Sequence, residues 1–207
     1  MSSTADNGKP LDPYKSKNLD QEPGIKEKIE DLCTFIEKSK FGMMTTRDAE
    51  SGKLVSRCMA LAETDRESLK LLFHTNAESH KAAEIETNPQ INISFLNSSG
   101  EWASLSGVSK VITDTEFVKK HYSSALKAWV GDLGDGVHTG GPEDPRIGII
   151  EVTVRSITYA LAKGTAVSRM VEVGKGMVTG NVADVNKLRE IGEGEIETWR
   201  SSHKMVA

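Results

Sequence analysis

From Phe41 to Thr113 the chain is a succession of short strand-like segments that are joined by polar turns and interrupted by only one helical stretch. The segment QINISFL shows the period of two expected of a half-buried strand, because Ile91, Ile93 and Phe95 alternate with polar residues. A doubly wound parallel sheet would need a helix between successive strands. The order of the segments therefore predicts a small antiparallel β-barrel with peripheral helices, an α+β fold that is mainly β.

Two longer helical patterns, at residues 25–40 and 113–129, stand on either side of this strand region. In the second, Thr113 and Glu116 form a capping-box pair ahead of an amphipathic stretch. In the last strand-like segment before it, Gly107 marks a possible β-bulge. The first residues carry few large apolar groups and cannot offset the entropy of ordering. We therefore expect a disordered N-terminal arm over residues 1–24, a barrel domain over residues 25–163 and a C-terminal helical extension over residues 164–207.

The charge and the cysteine count exclude several classes of protein. A net charge of −4 argues against a nucleic-acid or anionic-membrane partner, since such binders carry a basic excess. Cys33 and Cys58 are too few for a disulfide framework, and the five histidines show no ligand-pair spacing, so we expect no metal site. The sequence has no secretory signal pattern and no run of about 18 apolar residues. We expect a cytoplasmic protein.

The segment LLFHTNAESHKAAEIETNP carries the clearest chemical signal. Ser79 is placed as the N-cap of the helix HKAAEIE, and a helix N-terminus offers N–H donors to a phosphate. Lys81 in the first turn opposes the helix dipole, and an anionic ligand would resolve that conflict. The alternative is an ordinary capped helix with Lys81 in solvent. The local pattern alone favours this alternative, because the conflict costs under about 1 kcal/mol at an exposed site.

Arg57 is a second candidate phosphate ligand, because it interrupts the otherwise apolar strand segment LVSRCMALA. A guanidinium presents a planar fork of donors that suits phosphate oxygens. An edge position or a salt bridge would explain the same residue without any ligand, and the sequence leaves these alternatives open.

The order of four segments (FGMMTT, SRCMAL, FHTNAESHKAAEIETNPQINISF and GEWASLSG) resembles the FMN-binding split-barrel superfamily, which includes the pyridoxamine 5′-phosphate oxidases. The general stress proteins of this superfamily resemble the chain over residues 25–163, and the fungal blue-light-inducible proteins resemble it along its full length. The resemblance implies an antiparallel split β-barrel with six or more strands. It also implies a homodimer with FMN bound at the subunit interface.

Carried over residue by residue, the resemblance assigns cofactor binding to Arg57, Cys58, Met59, His74, Thr75, Ser79, His80, Lys81 and Trp102. In the superfamily, the phosphate is held by the strand arginine and by the serine and lysine of the following segment, with the threonine nearby. The two residues after the arginine run along the flavin ring and offer mainly backbone groups. The two histidines stand where the oxidases have a tyrosine and an arginine. Trp102 either packs on the ring from the partner subunit or belongs to the strand core.

Two departures from the oxidases bear on function. Ala62 stands about where they have a lysine shortly after the strand arginine, and their C-terminal signature built around arginine and histidine is absent. The general stress proteins often have Tyr-Trp in the last strand, whereas here Tyr159 is followed by Ala160. We therefore expect no true pyridoxamine 5′-phosphate oxidase activity.

Two functions follow from these departures. The first is an FMN-dependent oxidoreductase that acts on an unidentified small molecule. The second is a non-catalytic flavin-binding or stress- or light-response protein. A different phosphorylated, deazaflavin or tetrapyrrole ligand is a third and weaker alternative. The sequence assigns no catalytic residue.

Overall fold

The computed structural model describes residues 12–204. Seven strands occur in this part of the chain: β1 Phe41–Arg47, β2 Leu54–Asp65, β3 Lys70–Asn76, β4 Gln90–Leu96, β5 Trp102–Ile112, β6 Ile147–Ala162 and β7 Asn186–Ile191. Seven α-helices accompany them: α1 Pro13–Asn18, α2 Ile25–Ser39, α3 His80–Thr87, α4 Thr115–His121, α5 Lys127–Val130, α6 Ala166–Thr179 and α7 Glu193–Lys204.

The first six strands form a closed antiparallel barrel in the order β3-β2-β1-β4-β5-β6, and β6 pairs back with β3. The long strand β6 also pairs with β5 along most of its length, and its C-terminal end pairs with β7. The register of β5 against β6 shifts between Ser106 and Gly107. A Cβ at Gly107 would lie 2.2 Å from the Thr153 carbonyl oxygen, so the close approach requires glycine. The predicted barrel fold and the bulge are confirmed.

Strand alternation divides the barrel residues between the core and the outer surface. In β1, Met44 and Thr46 are buried, while Met43 and Thr45 point outward. The predicted alternation of β4 is confirmed, because Ile91, Ile93 and Phe95 are all buried. The first predicted helix, α2, buries one apolar face on the same core, which is the arrangement that burial of apolar area favours.

The N-terminal segment differs from the prediction. Residues 1–11 lie outside the described part of the chain, but α1 follows directly, with Asp12 as its N-cap and proline at its first position. Asn18 is buried and donates through Nδ2 to the Ala183 carbonyl at 3.2 Å. Leu19 forms a bridge with Leu188 of β7. Residues 12–20 of the expected arm are therefore held by partners that are distant in sequence.

The C-terminal extension differs as well, since it adds β7 to the barrel sheet as well as two helices. Arg189 of β7 is 1% exposed and makes ion pairs with three carboxylates of the N-terminal region, those of Asp20, Glu27 and Asp31. These contacts join the two ends of the described chain to α2.

Helix α6 is arranged differently from the other long helices, because its apolar face points to solvent. Its polar side lines a cleft against α1 through Glu172 and Lys175. Met170, Met177 and Val178 are 76%, 81% and 88% exposed. Within residues 12–204, none of the helices has the length and apolar character to cross a bilayer.

Candidate functional site

Arg57 of β2 forms a bidentate ion pair with Glu84 of α3. Its Nη2 donates to Glu84 Oε1 at 2.6 Å, and its Nη1 donates to Glu84 Oε2 at 2.8 Å. The same Nη1 donates to Thr46 Oγ1 at 2.8 Å, and the Thr46 hydroxyl donates to Glu84 Oε2 at 2.6 Å. The hydrogen bonds from Arg57 hold the pKa of the Glu84 carboxyl below its usual range. The sequence left open whether Arg57 binds a phosphate, lies on an edge strand or forms a salt bridge, and the salt bridge is present in the structure.

The N-terminus of α3 lies beside this ion pair. Ser79 is the N-cap residue, as predicted, but its hydroxyl donates to the Asn76 carbonyl at 2.7 Å. Glu78 N donates to Asn76 Oδ1 at 2.8 Å, so a side-chain turn at Asn76 leads the chain from β3 into the helix. Among the described residues, no side chain caps the first turn of α3. The helix end therefore keeps its ability to receive an anion.

Lys81 is half-buried in this first turn. Burial and the nearby Arg57 guanidinium both lower the pKa of the Lys81 ammonium, whereas Glu84 raises it. Two cations thus face one carboxylate, and the three groups together carry a net positive charge of about one. His80 is exposed and lines a cavity with Arg57 and Glu84. Acidic Asp48 and Glu50 line that cavity too and reduce its positive potential.

The predicted ring-side residues lie elsewhere on the barrel. Cys58 is exposed on the outer face of β2, whereas the Met59 side chain is buried in the core and can offer a ligand only backbone groups. Trp102 is half-buried at the start of β5, paired with Leu96 of β4 and Ala160 of β6. It is thus a strand residue with one face open.

His74 and Thr75 occupy consecutive positions of β3 and face different surroundings. Thr75 is buried, and its hydroxyl donates to the Asn76 carbonyl at 3.2 Å. His74 is half-buried, and its Nε2 lies 2.7 Å from the carbonyl oxygen of His121, at the end of α4. The structure therefore gathers Arg57, Ser79, His80 and Lys81 at α3 and places the other candidates in separate surroundings.

Two features of the structure, a buried carboxylate and a cavity, were not predicted from the sequence. Glu84 lies between buried Ala82 and Ile85, and a carboxylate on the apolar face of a helix was a signal that could have indicated a buried partner. The other is a cavity of ≈ 380 Å³ between β2, β3 and α4, lined by Glu63 and His121 among others. His121 Nδ1 lies 2.7 Å from Glu63 Oε2.

The outer face of β2, β1, β4 and β5, which we call the outer sheet face, consists mainly of small polar side chains. It comprises Met43, Thr45, Ser56, Cys58, Asn92, Ser94, Ser104 and Ser106. Thr45 and Ser56 share a hydrogen bond of 2.8 Å, and Asn92 Nδ2 donates to Ser104 and Ser106. At one end, Phe41 and Leu96 are 56% and 72% exposed. Exposed apolar side chains that lie together in this way are suited to burial against another protein.

No three metal-ligating side chains converge within residues 12–204. The arrangement instead favours an anion, held by a helix end and two cations.

Comparison with known proteins agrees with this fold. The family model of the pyridoxamine 5′-phosphate oxidase-like proteins matches residues 27–184. The chain is 54% identical over 203 residues to protein bli-3 of Neurospora crassa, and the match covers 97% of each protein. It is 28% identical over 137 residues to general stress protein 26 of Bacillus subtilis, covering 64% of this chain and 86% of that protein.

Among solved structures, the general stress FMN/FAD binding protein of Xanthomonas citri superposes with a TM-score of 0.55. The two sequences are 18% identical, and the match covers 68% of this chain and 92% of the other. This likeness concerns the fold, which is the barrel described above. Since the family model spans most of the chain and bli-3 is 54% identical over nearly all of it, the protein belongs to the pyridoxamine 5′-phosphate oxidase-like family.

Proposed function

We propose that the protein binds FMN and acts, as a homodimer, as an FMN-dependent oxidoreductase on a small molecule. The observation that carries the proposal is the uncapped N-terminus of α3, with Lys81 in its first turn and Arg57 beside it. A helix end of this kind is a ready site for a phosphate group. Family membership and the FMN/FAD-binding neighbour from Xanthomonas citri support the same ligand.

The donors at this site are sufficient for a phosphate even though Arg57 is paired. A guanidinium has five N–H donors, and three are used in the bonds to Glu84 and Thr46, which leaves two for a ligand. Lys81 adds up to three more. A phosphate dianion would also relieve the repulsion between the two cations. Asp48 and Glu50 oppose this gain, so we place the phosphate on the Lys81 and Ser79 side of Arg57.

The outer sheet face supports the homodimer. In the proposed dimer, this face meets its copy, and the flavin ring lies along Cys58 and the backbone of Met59, with Trp102 of the second subunit near it. The exposed apolar side chains at its end, Phe41 and Leu96, would become buried. Two free cysteines, one of them exposed, support a cytoplasmic location as part of the proposal.

A second candidate function is flavin binding without turnover. It is favoured by one observation: the carboxylate beside α3, that of Glu84, is held in its charged form by two hydrogen bonds from Arg57 and so is poorly placed to take up a proton. Oxidation of pyridoxamine 5′-phosphate is not proposed, because Ala62 stands in place of the oxidases' lysine.

The experiment is the visible absorption spectrum of the purified protein, followed by mass analysis of the molecule released by heat. We expect flavin absorption bands, a released mass equal to that of FMN, and bleaching of the bands by a reductant. A protein that stays colourless after incubation with FMN would contradict the proposal. A flavin that binds but does not change its redox state with any donor would leave the second candidate.

A further inference from the structure

Helix α6 has well-defined ends, yet none of its 14 residues is buried by the part of the chain that the structure describes. The Thr165 hydroxyl caps its N-terminus, and Gly180 ends it in the left-handed conformation. Four valines and two glycines lie between these ends, and both residue types are weak helix formers. Because a helix of this length and composition is marginal in water without packing, we expect a partner to cover its apolar side.

The apolar residues of α6 are arranged symmetrically about Gly174. Met170 and Val171 lie one turn before this glycine, and Met177 and Val178 lie one turn after it. Residues at these spacings share one face of a helix. We call this surface the α6 face; its residues are Val167, Met170, Val171, Gly174, Met177 and Val178, and its five side chains are 71%, 76%, 52%, 81% and 88% exposed.

This symmetry makes the α6 face complementary to itself. A two-fold axis through Gly174 would place Met170 and Val171 of one copy against Met177 and Val178 of another, as an isologous contact requires. An added Cβ at Gly174 would meet nothing within 4 Å, so a second helix can approach at the centre of the face.

The charges beside the α6 face allow two copies to meet. Lys175 lies next to the face, and its Nζ donates to Glu172 Oε1 of the same helix at 2.7 Å. Both residues line the cleft against α1, on the polar side of the helix. Two antiparallel copies would therefore bring together cations that already have a partner.

A second copy of the chain fits the α6 face better than a membrane or the remainder of this chain. Helices that lie on membranes combine a basic polar face with aromatic anchors, whereas α6 has no aromatic residue and its polar side includes Glu172. Residues 1–11 and 205–207 offer few large apolar side chains, those of Met1, Leu11, Met205 and Val206.

The size and position of the α6 face suit an extension of the proposed dimer interface. Its side chains equal about three to four fully exposed ones, each of about 60–120 Å² of apolar surface. Two copies would bury about 450–900 Å², less than the about 1,200–2,000 Å² of a standard interface. Helix α6 follows β6, in which Ala160 pairs with Trp102, and Trp102 pairs with Leu96. The helix thus starts at the end of the barrel where Phe41 and Leu96 are exposed.

We propose that the α6 face packs, antiparallel, against the α6 face of a second copy, on the two-fold axis of the proposed dimer. Met170 and Val171 of one subunit then contact Met177 and Val178 of the other. The inference rests on the homodimer of the proposed function and adds a second contact surface to it. Helix α6 is accordingly stabilised by the partner subunit and not by its own.

Sedimentation velocity of the full chain tests the contact. Met177→Asp places a charge within the α6 face, and we expect it to raise the dissociation constant of the dimer at least tenfold. Thr179→Asp, at an exposed position on the polar side of the same helix, should change this constant less than twofold. Circular dichroism verifies that both variants stay folded. Equal dissociation constants for the two variants would contradict the inference.

Hydrogen exchange of the α6 amides gives a second readout. We expect exchange at least tenfold slower in the wild-type dimer than in Ser94→Arg, whose substitution on the outer sheet face should give a monomer, while the β4 amides stay protected in both. Fast exchange of α6 in a wild-type dimer would overturn the inference and leave the dimer of the proposed function standing.

Two other outcomes are equally decisive. Exchange of α6 that slows only when vesicles of phosphatidylcholine and phosphatidylserine are added would show that a membrane covers the face, and the inference would be wrong. A dimer that survives Ser94→Arg but dissociates in Met177→Asp would support the α6 contact and overturn only the dimer through the outer sheet face.

Discussion

The carboxylate of Glu84 accepts two parallel hydrogen bonds from the guanidinium of Arg57, at 2.6 and 2.8 Å. Glu84 is 3% exposed, and the ion pair fixes α3 against β2. The orientation of the helix end that we assign to phosphate binding therefore depends on a contact between a strand residue and the second turn of the same helix.

Replacement of Glu84 by glutamine is expected to lower the free energy of unfolding by about 1–3 kcal/mol. The amide keeps the size but leaves a partly buried guanidinium without its charge partner. Urea denaturation measures the change. Glu86→Gln, at an exposed position of the same helix, should change it by less than about 0.5 kcal/mol. Equal effects of the two substitutions would show that the ion pair contributes nothing specific.

Acid should lower the stability of the protein by protonating Asp144. Hydrogen bonds from Arg146 hold the pKa of this carboxyl well below its usual range. The contribution to stability is therefore complete above the unfolded value of about 3.9 and is lost as the pH falls toward the folded value. We expect Asp144→Asn to melt at a lower temperature than the wild type at pH 7, with the difference shrinking below about pH 4. Thermal melts across this range check it, with exposed Asp132→Asn as the control that should show no such convergence.

Removal of the Lys81 ammonium is expected to weaken FMN binding at least tenfold. Lys81→Ala leaves the Arg57–Glu84 ion pair in place, so the fold should be retained, as far-ultraviolet circular dichroism can verify. Lys38→Ala, at an exposed position of α2, is the matched control. Fluorescence titration with FMN gives the affinities. Unchanged affinity in a folded Lys81→Ala protein would refute the phosphate assignment.

A large, charged side chain on the outer sheet face should prevent dimerisation. Ser94 lies within this face, opposite Met43 of β1 and Ser104 of β5, and Ser94→Arg would place two like charges at the interface of a two-fold dimer. We expect the wild type to sediment as a dimer and the variant as a monomer with reduced FMN affinity. Ser201→Arg on α7 should sediment like the wild type. A wild-type monomer that binds FMN tightly at micromolar concentration would rule out the proposed interface site.

A methyl group at Gly107 should destabilise the barrel, whereas one at Gly174 should not. The added Cβ at Gly107 would lie 2.2 Å from a backbone oxygen of β6, and such overpacking costs about 1–3 kcal/mol or more. At Gly174 in α6 there is nothing within 4 Å of the added atom, and alanine is favoured in helices by about 1 kcal/mol. Opposite shifts of the melting temperature are therefore expected. Equal shifts would mean that β5 can move away from β6 at this point.

The parts of the structure that the sequence predicted are those set by local pattern. Alternation in β4, the spacing of apolar residues in α2 and the glycine of the bulge each depend on a few neighbouring residues, and all three are present. The contacts that were not predicted join residues that are distant in the sequence. Arg189 could pair with any of many carboxylates as far as the sequence is concerned, and only the folded chain brings it to Asp20, Glu27 and Asp31. The same applies to Glu84 and Arg57, which are individually visible in the sequence but not as a pair.

Strand β6 pairs with three other strands, which has a consequence for the protein during its synthesis. A ribosome delivers β1 to β5 before residues 147–162 are available, so the nascent chain carries unpaired hydrogen-bonding groups along the outer edges of both β3 and β5. Such edges can pair with those of other chains. Arrival of β6 satisfies both edges at once, and the chain changes from an open sheet that can aggregate to a closed one. A stalled or truncated chain that ends before Ile147 should accordingly be a client of chaperones or proteases, even though it contains five of the six barrel strands.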